Sequence, residues 1–178
     1  IVHKLNFTEE KLEKIFTDLL EQEGFPHHLG ITISRKPDDV LIEEDLRNFL
    51  LNQYSSQGIT INEANSIILQ LKSLSASDLY ESNKTFLKML SDGFILKRED
   101  RNQKDIYIQL INFAGLNKHR QPDAEQLISV AAEPEEQYPP DTNIYKFVNQ
   151  LEIIGTEKRI PDGIVYINGL PLVVFEFK

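Results

Sequence analysis

Cysteine is absent from the sequence of 178 residues, which excludes disulfide bonds and thiolate metal sites and fits a cytoplasmic protein. Long apolar runs are also missing, and no segment has the length of a transmembrane helix or the pattern of a signal peptide. A Gly-x-x-x-x-Gly-Lys-Ser/Thr phosphate loop does not occur either. We therefore expect a cytoplasmic chain without a membrane segment and without this type of nucleotide-binding loop.

Basic residues are in the minority, because 19 Lys and Arg stand against 28 Asp and Glu, a formal net charge of −9. The imbalance is strongest over residues 121–145, which contain no Lys or Arg and six acidic residues: Asp123, Glu125, Glu133, Glu135, Glu136 and Asp141. A chain with this charge is expected to bind nucleic acid poorly by itself. If its substrate is a nucleic acid, a basic partner or a motor has to deliver it.

The length of the chain is that of one ordinary domain with a proper core. The sequence begins at Ile1 rather than at a methionine and ends inside a predicted strand. We therefore interpret residues 1–178 as a single domain that is a fragment of a larger protein, truncated after that strand.

Four stretches have the three- and four-residue apolar spacing that predicts amphipathic helices: 8–23, about 43–54, Thr60 to about Leu74, and about 78–91. Thr60 and Glu63 have the spacing of a capping box, and Gly24 and Gly93 are suitable helix ends. The last three helices make a helical subregion over about 40–92. Their apolar stripes are interpreted as core and not as cofactor sites.

Short strands are predicted at 30–35, at Phe94–Arg98 and Asp105–Asn112 around a polar turn, and at Tyr145–Ile154. The adjacent histidines His27 and His28 are interpreted as surface loop, because neighbouring side chains on a turn point apart and no third metal ligand is evident. Four basic residues near the polar turn could contact phosphates, although a solvated hairpin tip is favoured: Lys97, Arg98, Arg101 and Lys104.

The most informative stretch is 159–178, where two apolar runs flank Asn168-Gly169, a strong signal for a β-hairpin. The charged residues of the hairpin proper are Asp162, Glu176 and Lys178. Both faces of its second strand are apolar, which predicts a strand inside a sheet covered on both sides. Charges on such a strand are costly unless they are paired or hold a metal, so they indicate a site.

These residue types suit metal-dependent hydrolysis of a phosphodiester. Mg²⁺ prefers oxygen ligands and keeps several waters, so Asp162 and Glu176 could hold it, with the Phe177 carbonyl as a third ligand. Lys178 would orient or deprotonate the attacking water, or neutralise developing charge. From spacing alone a chance match stays open, because Glu9-Glu10-Lys11 repeats Glu-x-Lys and Pro-Asp occurs four times.

The pairing register of the hairpin decides whether the two carboxylates can share a metal. A two-residue Asn168-Gly169 loop with regular pairing would place Asp162 and Glu176 on opposite faces. We therefore predict a three-residue loop with a left-handed Gly169, or a β-bulge near Asp162. Regular pairing without a bulge would exclude the shared site.

Pro-Asp at the start of a strand, a hairpin and then Glu-x-Lys resemble the motif of PD-(D/E)xK nucleases. The segments 167–178 and Asn143–Gln150, and more loosely the first helix, resemble the nuclease domain of the motor (R) subunit of type I restriction enzymes. The resemblance is sharp over 143–178 and diffuse over 1–113. That family joins the strand near Asn112 to Asn143 more directly, so 114–142 is interpreted as an irregular acidic insert with one helix near 123–132.

The resemblance implies an α/β fold, α+β in a stricter scheme, of the restriction-endonuclease type. Its mixed sheet would be built on 145–154, 163–168 and 171–178, with the N-terminal helix behind it and the helical subregion to one side. An acidic residue of the first helix can approach the metal in such folds, which makes Glu9 or Glu13 an auxiliary candidate. A solvated acidic helix start is the favoured alternative for both.

The function implied is an Mg²⁺-dependent endonuclease that cuts double-stranded DNA within a type I restriction complex. Its partners would be the methylation and specificity subunits, and ATP would bind only to the parent subunit, outside this chain. The fragment alone is expected to cleave weakly or not at all. Two alternatives stay open: a non-catalytic docking module of the complex, and a repair-type PD-(D/E)xK nuclease.

Overall fold

The computed structural model of the protein describes residues 8–74, 77–115, 140–155 and 157–177. In these ranges its α-helices are α1 (Glu9–Gln22), α2 (Glu43–Gln53), α3 (Ile61–Lys72) and α4 (Leu79–Asp92). Its strands are β1 (His27–Leu29), β2 (Phe94–Leu96), β3 (Ile106–Ile108), β4 (Tyr145–Asn149), β5 (Ile153–Ile154), β6 (Lys158–Arg159), β7 (Gly163–Ile167) and β8 (Leu170–Phe175). Within these ranges no helix is both long and apolar enough to span a bilayer.

A mixed sheet of four strands forms the centre of the fold, in the order β1-β4-β7-β8. Strand β1 runs parallel to β4, and the other two pairs are antiparallel. The predicted α/β class with a mixed sheet is therefore confirmed. The prediction that the second hairpin strand is covered on both sides is wrong for the described residues, because β8 lies at the sheet edge and Val173 and Val174 are exposed.

The first strand corrects the interpretation of the two histidines as surface loop. His27 and His28 pair with Phe147 and Val148 in the sheet, and the predicted strand at 30–35 is replaced by a 3-10 turn over Gly30–Thr32. A Cβ on Gly30 would lie 2.5 Å from the carbonyl oxygen of Gln150. The backbones touch at this glycine, so the chain turns away there instead of continuing as a strand.

The N-terminal helix covers one face of the sheet through an aromatic cluster. The ring of Phe16 lies 6.0 Å from that of Phe147, 4.5 Å from that of Phe175 and 5.4 Å from that of Phe177. None of the residues of α1 is fully buried. The helix nevertheless packs on the sheet through these ring contacts. The predicted support of the hairpin by the first helix is confirmed.

The predicted helical subregion is present, and its side chains form the larger of the two apolar clusters. Side chains of α2, α3, β2, β3 and the start of β8 bury one another, among them Leu46, Phe49, Leu50, Ile67, Ile68, Ile106, Ile108 and Leu170. Helix α3 begins with the predicted capping box between Thr60 and Glu63. Gly93 ends α4 at φ 68°.

The basic residues around the β2–β3 turn do not share one environment. The Arg98 side chain is buried and its Nε donates to Glu63 at 2.8 Å, while its other nitrogens donate to the carbonyls of Gln57 and Gly58. Both expectations for Arg98, phosphate contact or solvated tip, are therefore wrong. Lys97, Arg101 and Lys104 are exposed.

Hydrogen bonds to Glu63 outweigh the effect of its burial. Burial alone would raise the pKa of Glu63, but donors on the backbone of Thr60 and Glu99 lower it. The guanidinium of Arg98 lowers this pKa further. One carboxylate thus joins the start of α3 to the ribbon of β2 and β3.

Two asparagines, Asn112 and Asn143, connect the described residues on either side of the predicted insert. The backbone N–H of Asn112 donates to the side-chain oxygen of Asn143 at 2.8 Å. The side-chain nitrogen of Asn143 donates in turn to the backbone carbonyl of Asn112 at 3.0 Å. The Asn112 side chain accepts from Gly115 and donates to the carbonyl of Pro140. Residues 115 and 140 therefore lie close together. The predicted helix near 123–132 and most of the insert, 116–139, fall outside the described residues.

Candidate active site

The turn of the C-terminal hairpin is buried and left-handed. Asn168 and Gly169 have φ values of 53° and 74°, which is the two-residue turn that matches the twist of a hairpin. The side chain of Asn168 accepts from the backbone of Ile144 at 2.7 Å and donates to the carbonyl of Leu110 at 2.9 Å. The left-handed Gly169 is confirmed, whereas the three-residue loop offered as one alternative is wrong.

A β-bulge changes the register halfway along the hairpin. Ile167 pairs with Leu170 and Tyr166 with Pro171, but the next pair is Val165 with Val173. Leu172 is therefore the extra residue on β8. The predicted bulge is present, although it lies in the middle of the hairpin and not near Asp162. Pro171 explains the position, because proline has no N–H for the ladder and occurs in sheets at edges and bulges.

The shifted register decides how the two predicted carboxylates are aligned. Gly163 pairs with Phe175 as the last pair of the ladder, and the same register continued outward by one residue would align Asp162 with Glu176. Because Phe175 and Phe177 both contact Phe16 of α1, Glu176 between them points to the other side of the sheet. Asp162 is half-buried and Glu176 is exposed.

A short hydrogen bond holds Asp162 in place, because the backbone N–H of Phe177 donates to its Oδ2 at 2.5 Å. This bond fixes one of the two carboxylate oxygens, Oδ2. Lys178, the third member of the predicted set, lies outside the described residues.

The candidate site offers few protein ligands for a metal ion. Within the described ranges, no group of three or more His, Asp or Glu side chains is arranged to hold a metal ion. Two carboxylates and one backbone carbonyl fit Mg²⁺ nonetheless, because this ion is usually held by one or two carboxylates and keeps several waters. They fit Zn²⁺ poorly, since it prefers nitrogen and sulfur ligands.

The auxiliary candidates on α1 have different surroundings. Glu9 is exposed, whereas Glu13 accepts a hydrogen bond from the Asn149 side chain at 3.0 Å. Asn149 also bonds the Nε2 of His27 at 2.9 Å. These hydrogen bonds connect α1 to the end of β4 and the start of β1, on the side of the sheet away from Glu176. A role for either glutamate as a metal ligand stays a prediction.

Sequence reasoning missed a charged pair between α2 and the sheet. The Nζ of Lys146 on β4 lies 2.6 Å and 2.8 Å from the two carboxylate oxygens of Asp45, which is largely buried. Burial lowers the pKa of the nearby His28, and the charge of Lys146 lowers it further. No spacing in the sequence indicates this contact, because its two partners are 101 residues apart.

Comparison with known proteins gives one family and one curated relative. The model of the type I restriction enzyme R protein N terminus matches residues 6–178. The type I restriction enzyme HindI endonuclease subunit of Haemophilus influenzae is 27% identical over 174 residues, which is 96% of this chain and 14% of the relative. The chain therefore spans about one seventh of the length of that relative. No solved structure matches it.

Proposed function

The chain belongs to the family of the type I restriction enzyme R protein N terminus, and on that basis we propose that it is the DNA-cutting domain of such an enzyme. The reaction would be Mg²⁺-dependent hydrolysis of phosphodiester bonds in double-stranded DNA, with Asp162, Glu176 and Lys178 as the catalytic set. The larger subunit would supply ATP binding, and methylation and specificity subunits would complete the complex. The long relative, of which this chain covers 14%, agrees with such a division of labour.

One observation carries the proposal: the bulge at Leu172 makes Gly163 pair with Phe175, and this register continued by one residue would align Asp162 with Glu176. Side chains directly opposite on antiparallel strands have Cβ atoms about 4.5–5.5 Å apart, close enough for both carboxylates to bind one ion. Asp162, Glu176 and the carbonyl of Phe177 would hold Mg²⁺. When bound, the ion would polarise the phosphate and stabilise charge on the leaving oxygen.

The residues of the chain have distinct roles in this proposal. The Phe177 amide orients Asp162, so the aspartate side chain is held in place before metal or DNA arrives. Lys178 follows Glu176 by two residues and would orient or deprotonate the attacking water. A lysine suits this role because its pKa responds strongly to its surroundings.

Two other functions compete with this one. A docking module of the restriction complex would use the same fold without cutting, and a repair-type nuclease would use the same chemistry in another pathway. Family membership favours a restriction role over repair. The opposed carboxylates favour cutting over docking, because a purely structural hairpin has no need of an exposed Glu176 facing Asp162.

The test compares carboxylate variants in the complete subunit, assembled with its methylation and specificity subunits. Asp162→Asn and Glu176→Gln keep the side-chain size and remove a metal ligand, so we expect plasmid cleavage to fall by at least about a hundredfold. ATP hydrolysis should stay at the parent rate, since the sequence contains no phosphate loop. Glu10→Gln, an exposed glutamate of α1, is the matched control and should cleave normally.

Two results would contradict the proposal. Cleavage by Asp162→Asn at the parent rate would show that the cutting site lies elsewhere. A parallel loss of cleavage and ATP hydrolysis would indicate that the domain couples or docks and does not itself cut.

A further inference from the structure

The two-stranded ribbon of β5 and β6 leads directly into the candidate site. Ile153 pairs with Arg159 and Ile154 with Lys158, and only two residues separate β6 from Asp162. An extended residue spans about 3.3–3.6 Å, so the Cα of Arg159 lies within roughly 11 Å of that of Asp162. One DNA strand rises about 3.4 Å per nucleotide, which makes this distance equivalent to about three nucleotides.

The two basic side chains of this ribbon extend into solvent. Lys158 is 56% exposed and Arg159 is 79% exposed. Their acidic neighbours, Glu152 at 2.7 Å and Glu157 at 3.7 Å, are exposed as well. Such surface pairs contribute little to stability because water solvates both ions. A phosphate can therefore replace either carboxylate at small cost.

Other contacts anchor the β5–β6 ribbon to the rest of the domain, although its basic side chains are exposed. Leu151 is fully buried, and the backbone N–H of Ile154 donates to the carbonyl of Pro37 at 2.9 Å. The guanidinium of Arg35 donates to the carbonyl of Glu152 and to three carbonyls of the 36–39 segment. These contacts hold the ribbon in a defined position beside the sheet.

The charged residues around the candidate site indicate what the β5–β6 ribbon could do. Between Lys146 and Lys178, the sequence contains no Lys or Arg other than Lys158 and Arg159. The same stretch contains four acidic residues: Glu152, Glu157, Asp162 and Glu176. A polyanion that approaches the two carboxylates would meet repulsion unless nearby cations receive its phosphates.

The other basic ribbon, made of β2 and β3, lacks these properties. Its Arg98 is used in the buried contact with Glu63, and Leu96, Ile106 and Ile108 bury the ribbon in the helical subregion. Arg101 and Lys104 at its turn are exposed, but no short connection leads from them to Asp162. They provide a matched comparison for Lys158 and Arg159.

We propose that Lys158 and Arg159 are positioning residues that bind the phosphate backbone of double-stranded DNA beside the bond to be cut. This inference rests on the proposed function, since it assigns the substrate contact of the same site. The ribbon would act on DNA binding and not on the chemical step. It would thereby offset the acidic character of the domain where the substrate has to approach.

The experiment uses the complete subunit in its restriction complex and varies the concentrations of DNA and salt. For Lys158→Ala/Arg159→Ala, we expect the half-saturating DNA concentration for cleavage to rise at least about tenfold at roughly 50 mM salt. Each phosphate contact contributes a slope of about −0.9, so the gap to the parent should shrink roughly tenfold by about 200 mM salt. Maximal cleavage and ATP hydrolysis should be unchanged, and Lys158→Arg/Arg159→Lys should behave like the parent.

Arg101→Ala/Lys104→Ala, which removes the same charge elsewhere, should leave DNA saturation unchanged. Three results would overturn the inference: parent-like saturation of the ribbon alanine variant, an equal defect in the Arg101/Lys104 control, or failure of the charge-retaining variant to restore binding. The proposed function fails separately, if Asp162→Asn still cuts. If Asp162→Asn is inactive and the ribbon alanine variant saturates normally, the ribbon inference alone is wrong.

Discussion

Gly169 shows how a single residue position controls the hairpin. Its φ of 74° belongs to the left-handed region, where an alanine is strained. A Cβ there would also collide with the carbonyl oxygen of Ile42, a backbone atom that cannot move aside without shifting the start of α2. The backbone N–H of Ile42 donates to the Gly169 carbonyl at 2.9 Å, so this hydrogen bond connects the hairpin turn to the start of α2.

We expect Gly169→Ala to lower the free energy of unfolding of the chain by about 2–5 kcal/mol, from left-handed strain plus overpacking. Gly58 is the matched control, because it has a similar φ of 67° but open space around its missing Cβ. Gly58→Ala should cost only the strain, about 1–2 kcal/mol. Urea unfolding of both variants gives the comparison, and equal losses would show that the Ile42 contact contributes nothing.

Among single-residue features, the turn at Asn168-Gly169 is the one that the sequence predicted best. The dipeptide indicated a tight turn because both positions tolerate a positive φ. The burial of Asn168 could not be predicted, since the groups that it bonds, at Leu110 and Ile144, come from segments distant in sequence. The same applies to Asp45 and Lys146, whose pairing depends on how α2 packs on the sheet.

At the scale of elements, the bulge in β8 is the feature on which the proposed site depends. Alternation of side chains predicted that regular pairing would separate Asp162 from Glu176, and the observed bulge resolves that conflict. Its location could not be derived from alternation, which only required an extra residue somewhere between the turn and Asp162. Pro171 was the available cue, because proline disfavours a regular ladder.

Inserting one alanine between Val174 and Phe175 should move the residues that follow it by one position relative to Asp162. Glu176 would then point to the side of α1, and we expect DNA cleavage by the complete subunit to be lost. Leu172→Ala is the control, because it keeps the register while removing a half-buried side chain, at a cost of about 1–2 kcal/mol. Plasmid cleavage is measured for both variants at equal folded concentration.

The control variant should therefore cut, whereas the insertion variant should not. Normal cleavage after the insertion would mean that the two carboxylates need not face each other. Loss of cleavage in both variants would point to a packing effect of the leucine and would not support the register argument.

Helices were easier to predict than strands, for reasons visible in individual elements. Helix α3 combines an apolar stripe with a local capping box, so its start is encoded within four residues. Strand β1 is three residues long and exists because it pairs with β4, 120 residues further along the chain. Periodicity cannot reveal so short a segment, and the two histidines suggested a polar loop.

At the scale of the whole molecule, charge limits what the domain can do alone. The chain carries a net charge of −9, and DNA binding requires cations that neutralise phosphates. The cations of the ribbon would act locally but would not reverse the overall repulsion. Delivery of DNA by a larger assembly is therefore part of the proposed function.

We expect the isolated chain of 178 residues to leave plasmid DNA largely intact in the presence of Mg²⁺. The reason is weak binding of DNA to an acidic domain that lacks a motor. The assay compares the chain with its Asp162→Asn variant, which sets the background from contaminating nucleases. Rapid linearisation by the parent chain alone would show that the domain is self-sufficient.

The meeting of residues 115 and 140 has a topological consequence. A Cβ on Gly115 would lie 2.6 Å from the Cα of Asp141, so two described points of the chain that are 26 residues apart in sequence touch each other. Closing a longer loop between fixed ends costs only about 0.6 kcal/mol per doubling of its length. A change in the number of residues between these two points therefore need not alter the distance that the chain has to span there, and the described sheet and hairpin can keep their geometry.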